Sequence, residues 1–173
     1  LDKAARTMGL PYPGGVNLDK ISQNGDDKAY SFPKPRVDAS PLDFSFSGLK
    51  TSVINTVHNA EQKGETIIRE NLGASFINAV VTSLIDNTEK AMQTVDTNKL
   101  VLAGGVSANS VLRRRMDETA KKHSWRIYYP ELSLCGDNAA MVASQGYYEF
   151  ISGKRADMSL NAYATMNITE ANY

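Results

Sequence analysis

The sequence has one cysteine, Cys135, among 173 residues. No intramolecular disulfide can form, and no thiolate cluster can hold a metal within one chain. A lone thiol suits a reducing compartment, so a cytoplasmic setting is expected. Histidine is nearly as scarce. His58 and His123 lie far apart, there is no His-x-x-x-His pair, and the zincin motif is missing. No His lies near Cys135 to make it a nucleophile. Charge of neither sign dominates, with 19 basic and 19 acidic residues. That balance removes the broad basic excess typical of nucleic-acid proteins and leaves only local patches to consider. No apolar run approaches the roughly 18 residues of a membrane span, and no signal segment opens the chain, so no membrane partner is expected. Repeats and low-complexity tracts are also absent.

The composition is otherwise that of an ordinary globular protein, 42% hydrophobic and 22% charged. Its length suits one generous domain, or a core with an insertion. The chain opens on Leu1-Asp2-Lys3 without Met, already in a helical pattern, which reads as the interior of a longer protein. Residues 1–10 read as the end of a helix, with Gly9 as its cap and Pro11 blocking continuation. Pro11 to Gly15 form a turn, a short helix spans Val16 to Ser22, and Asn24 to Asp27 turn again. Residues 30–50 are extended and punctuated by Phe32, Pro33, Pro35, Pro41, Phe44 and Phe46. The alternation in Asp43-Phe44-Ser45-Phe46-Ser47 places both rings on one side. Gly48 is expected to turn sharply, with a helix beyond it ending near Gly64.

Thr66 to Asp96 is the clearest long helix. Ile68, Leu72, Phe76, Val80, Leu84, Ala91 and Val95 recur at three- and four-residue intervals, and Gly73 weakens its intrinsic propensity. Lys99 to Ala103 reads as a parallel strand covered on both faces. A helix from about Asn109 to His123, a strand at Arg126 to Tyr129 and a helix from near Asp137 to Ile151 follow, with Gly153 as the last cap. This alternation marks an α/β unit. The expected domains are an extended and helical insertion over residues 1–64 and an α/β nucleotide-binding lobe over residues 65–173.

The strand running into Gly104-Gly105 and then a helix suits a phosphate or nucleotide. Glycines let a ligand approach the backbone, and a helix start presents free N–H groups. A tight structural turn explains the pair equally well, and neither the P-loop nor the dinucleotide fingerprint is present. Asn109 reads as an N-cap, or as an amide for a base edge or ribose hydroxyl. Asp137 reads as an N-cap carboxylate, or as a ligand for a hard or borderline metal. Both Gly104 and Asp137 follow strands, where ligands bind in parallel α/β sheets. Arg113-Arg114-Arg115 and Lys121-Lys122 make one helix basic, more simply a solvated face than an RNA patch.

Four stretches then occur in register. They are Leu1 to Gly15 (Leu-Asp-Lys-Ala-Ala-Arg through Gly-Leu-Pro-Tyr-Pro-Gly-Gly), Asp43 to Thr51 (Asp-Phe-Ser-Phe-Ser-Gly-Leu-Lys-Thr), Leu102 to Asn109 (Leu-Ala-Gly-Gly-Val-Ser-Ala-Asn) and Cys135 to Met141 (Cys-Gly-Asp-Asn-Ala-Ala-Met). Together they resemble the tRNA N6-adenosine threonylcarbamoyltransferase family over about residues 1–152. The resemblance implies the C-terminal lobe of the actin, sugar-kinase and heat-shock-chaperone superfamily, ribonuclease H-like, with a helical insertion. It implies transfer of a threonylcarbamoyl group from threonylcarbamoyl-adenylate to N6 of the adenosine beside the anticodon of tRNA, with partner proteins of that pathway. It also implies one divalent metal ion per full-length subunit, usually iron, held by two histidines and an aspartate. Asp137 matches that aspartate, while the histidines belong to an N-terminal lobe absent from this chain. Asp2 matches the ribose-binding aspartate, Asn109 another nucleotide contact, and Gly104 and Gly105 the glycines lining the adenylate. By itself the chain is expected to bind metal poorly and not to catalyse. Lys50, a cation in a distinctive motif, reads at least as well as a solvated lysine. The rival readings are a non-catalytic nucleotide-binding scaffold subunit of the same superfamily and a sugar kinase, which the Asp43–Lys50 stretch disfavours. The family's older protease label finds no protease constellation here.

Overall fold

The computed structural model describes residues 1–34, 42–162 and 164–165; Pro35 and Pro41 lie outside them. The protein is α/β, mostly helical with a small parallel sheet. It divides into two compact units, Leu1–Cys135 and Gly136–Tyr173. The expected domain boundary at residue 64 falls inside the first.

In the first unit α1 (Asp2–Thr7) leads to α2 (Gly14–Ser22), α3 (Ser47–Lys63) and α4 (Arg69–Val95). The sequence places a sharp turn at Gly48, but Gly48 lies in the first turn of α3. The alternation ahead of it does bring the two rings together, since Phe44 and Phe46 stack with centroids 5.5 Å apart. The α4 stripe is buried as its period requires, with Leu72, Ile77 and Val81 almost fully covered. Leu18 of α2, Leu49 and Val53 of α3 pack into the same core. Gly73, a weak helix former by propensity, has a steric reason here. A Cβ on it would lie 2.9 Å from Ser22 Oγ and 3.2 Å from Leu18 Cδ1, so any side chain there would have to push these α2 side chains aside.

After α4 come β1 (Lys99–Val101), α5 (Ser110–His123) and β2 (Arg126–Tyr128). The strands pair in parallel, with Leu100 opposite Ile127. Leu102 N–H to Tyr128 O at 3.0 Å and Arg126 N–H to Asn98 O at 2.7 Å extend the ladder. The expectation that β1 is covered on both faces is corrected. Leu100, Leu102 and Ile127 pack against the core, whereas Val101 is 68% and Tyr128 50% exposed. Successive side chains of a strand point to opposite faces, and the helices of the first unit cover only one.

The second unit contains α6 (Ala139–Ile151). Its N-cap is Asn138, whose Oδ1 accepts the Met141 N–H at 2.9 Å. The helix therefore starts after Asp137, and the cap reading of Asp137 is corrected. An amide one residue later occupies the capping geometry. At the other end Gly153 takes the left-handed conformation that its sequence position suggests. Lys154 N–H reaches Glu149 O and Gly153 N–H reaches Phe150 O, closing the helix in a Schellman motif.

Candidate functional site

Asn109 is buried, and both ends of its amide are engaged. It is the N-cap of α5, with Oδ1 accepting the Leu112 N–H at 2.9 Å. Its Nδ2 donates to Asp19 Oδ1 at 2.7 Å. Asp19 Oδ1 also accepts from Ser110 Oγ at 2.9 Å, and the Ser110 N–H is shared between the two carboxylate oxygens at 3.2 and 3.3 Å. The first turn of α5 is thus capped twice, by its own Asn109 and by a carboxylate from α2. Negative charge is favoured there because the unpaired N–H groups concentrate positive potential. Sequence reasoning missed Asp19, because a contact spanning 90 positions leaves no local pattern.

Asp2 does the same service at the next junction. It is exposed on the first turn of α1, and its Oδ1 accepts the Gly15 N–H at 3.0 Å. The N-cap residue of α2 is Pro13, which makes no side-chain cap. Gly14 permits the approach, since a Cβ there would fall 2.9 Å from Asp2 Oδ1 and 2.8 Å from Ala5 Cβ. Gly15 and Asp19 are one helical turn apart on α2. The turn of α2 from Gly15 to Asp19 therefore joins Asp2 to Asn109.

Gly104 and Gly105 are exposed at the end of β1. Gly104 has φ 87° and ψ 165°, a conformation almost restricted to glycine. A short 3-10 turn, Gly105–Ala108, separates it from α5, whose start at Ser110 agrees with the helix expected from about Asn109. A Cβ at either glycine would meet nothing within 4 Å. Backbone conformation accounts for Gly104, whereas no contact among the described residues demands glycine at 105.

The basic run on α5 divides by function. Arg113 donates from Nε to Ser107 O at 2.6 Å and from Nη2 to Pro130 O at 3.1 Å and Cys135 Sγ at 3.2 Å. Arg115 Nη1 donates to Asn78 Oδ1 and Thr82 Oγ1. Both are structural, which corrects the solvated-face reading for these two; Arg114, Lys121 and Lys122 are exposed, as that reading expects. Tyr129 lies under the Arg113 guanidinium and donates to Asp117 Oδ1 at 2.7 Å. Burial, then the Asp117 carboxylate, raises its phenol above the ordinary range. Cys135 is buried against Arg113. His123 bonds Glu89 at 2.6 Å and stacks on Trp125.

Asp137, in the second unit, is exposed. Among the described residues no three His, Cys, Asp or Glu side chains are grouped to hold a metal. One exposed carboxylate offers a single ligand, and a bound divalent ion needs several. The described residues do not by themselves fit a metal centre.

A family model for tRNA N6-adenosine threonylcarbamoyltransferase matches residues 1–144. Proteins of that name from Staphylococcus carnosus and Clostridium botulinum are 43% and 44% identical over 169 residues, 98% of this chain and 49% and 50% of theirs. One from Listeria welshimeri is 47% identical over 163 residues, covering 93% of this chain and 47% of its own. The chain spans about half the length of the curated relatives it matches.

Proposed function

The chain belongs to the tRNA N6-adenosine threonylcarbamoyltransferase family, and we propose that it forms the adenylate-holding part of such an enzyme. In that reaction the exocyclic N6 of an adenosine beside the tRNA anticodon attacks the carbamoyl carbon of threonylcarbamoyl-adenylate. The N6–carbon bond forms, the carbon–phosphate oxygen bond breaks, AMP leaves, and the N6 proton passes to solvent or base. We infer in addition that the chain is a C-terminal lobe of the actin and sugar-kinase superfamily, that it works in a cytoplasmic setting, and that a partner enzyme makes the adenylate.

The observation that carries the reading is the joining of Asp2 and Asn109 through one turn of α2. Asp2 Oδ1 is occupied by Gly15, and Oδ2 remains to accept a ribose hydroxyl. Asn109 keeps a second N–H and a second lone pair after its bonds to Asp19 and Leu112. Apart from its chain neighbours, no described atom lies within 4 Å of where a Cβ on Gly105 would sit, which leaves room for a phosphate to approach the backbone there. Asp137 would supply one ligand to a divalent metal, iron by family resemblance, with the other donors outside this chain.

The test uses the full-length protein carrying this segment, supplied with threonylcarbamoyl-adenylate and a tRNA that reads codons beginning with A. Threonylcarbamoyladenosine is expected in the digested RNA, with AMP released in equal amount. Adenylate consumed without modified nucleoside would overturn the reading.

A further inference from the structure

The stretch Asp43–Lys50 is the most distinctive motif of the sequence, and the adenylate site makes no use of it. We propose that it is a stacking platform for an unpaired base of the RNA acceptor, with Phe44 as the platform and Lys50 as a phosphate contact. This inference rests on the transferase reading.

The geometry is that of a ring held ready. Phe46 packs against the hydrophobic core. Phe44 stacks on it with centroids 5.5 Å apart and planes 11° from parallel, yet remains 43% exposed. The inner ring is the anchor and the outer ring is presented to solvent. Asn87 of α4 fixes the backbone ahead of them, donating from Nδ2 to the carbonyls of Leu42 and Asp43 at 3.3 Å each. Ordering such a side chain on binding costs little, because its partner ring and backbone already hold it. Lys50 follows one helical turn later, its N–H bonded to Phe46 O at 3.1 Å. It is exposed and makes no ion pair among the described residues.

Proteins take single-stranded nucleic acid with an exposed aromatic ring that stacks a base and cations that neutralise the phosphates, and Phe44 and Lys50 bring an exposed ring and an exposed cation to one short segment. A protein partner is less well matched. Such an interface centres on a broader apolar patch, and Phe44 is flanked by Asp43, Ser45 and Ser47. Every base offers a π-face, so the platform supplies affinity and placement, while the identity of the modified base must be read elsewhere.

Binding of an anticodon stem–loop RNA to the full-length protein, followed by fluorescence anisotropy, tests the proposal without requiring turnover. Phe44→Ala is expected to weaken binding about ten-fold, with Phe44→Tyr close to wild type. Lys50→Gln is expected to weaken it less and to lower the slope of log affinity against log salt by about one. Affinity for an adenylate analogue should not change in any of the three. Unchanged RNA affinity in Phe44→Ala would overturn the platform. So would a fall in melting temperature in Phe44→Ala accompanied by an equal loss of adenylate affinity, which would make the ring a packing residue. If the wild-type protein binds the RNA in a Phe44-dependent way but forms no modified nucleoside, the transferase reading fails and the platform stands.

Discussion

Asn109 Nδ2 donates to Asp19 Oδ1 at 2.7 Å, and the same oxygen accepts from Ser110 Oγ at 2.9 Å. One carboxylate on α2 thereby holds both the cap residue and the first residue of α5. The candidate nucleotide residue Asn109 is thus set in place by a tertiary contact.

Asp19→Ala should destabilise the full-length protein by about 1–3 kcal/mol in urea unfolding, since partly buried donors lose their acceptor. Asn109→Ala should cost about 1–2 kcal/mol through the lost cap. Because the residues touch, their double variant should depart from additivity by at least about 0.5 kcal/mol. Strict additivity would mean that the bond contributes nothing.

The two glycines should separate under the same substitution. Gly104→Ala forces a side chain into φ 87°, ψ 165° and should cost about 1–3 kcal/mol. Gly105→Ala meets no neighbour within 4 Å and should leave stability within about 0.5 kcal/mol. Calorimetric titration with an adenylate analogue should nevertheless show weaker binding to Gly105→Ala. Wild-type affinity in that variant would remove the glycine face from the site.

Asn138, and not Asp137, should behave as the cap of α6. Asn138→Ala removes the α6 cap and should cost about 1 kcal/mol. Asp137→Ala should leave the melting temperature of the chelator-treated, full-length protein unchanged while lowering the metal content of the protein as purified, measured by elemental analysis. A full equivalent of metal in Asp137→Ala would exclude it as a ligand.

Glu89 gives the fold a dependence on acid. The hydrogen bond from His123 is the chief cause that holds its carboxyl below the ordinary 4.5, while burial opposes it. A depressed carboxyl contributes stability above its unfolded value and loses it as the pH falls through the folded one. Glu89→Gln should therefore be less stable than wild type by about 0.5–1 kcal/mol at pH 6, with the difference shrinking below pH 4.5. A gap that stays constant across that range would assign the effect to packing.

Whatever repeats along the chain was legible in the sequence. The three- and four-residue period made α4 certain, the short apolar run before the glycines marked β1, and the alternation at Phe44 and Phe46 put both rings on one side. The four motifs in register pointed to the family. These signals are local, because helix and strand periods are properties of neighbouring residues. Tertiary structure alone decided the rest. It turned Arg113 and Arg115 inward and left Arg114 exposed, gave Gly73 to the α2 crossing, packed the first unit's helices against one face of β1, and made Asn138 the cap in place of Asp137. It also brought Asp19 to Asn109. A hydrogen bond needs its partner within about 3 Å, and only the folded chain settles which distant residue arrives there.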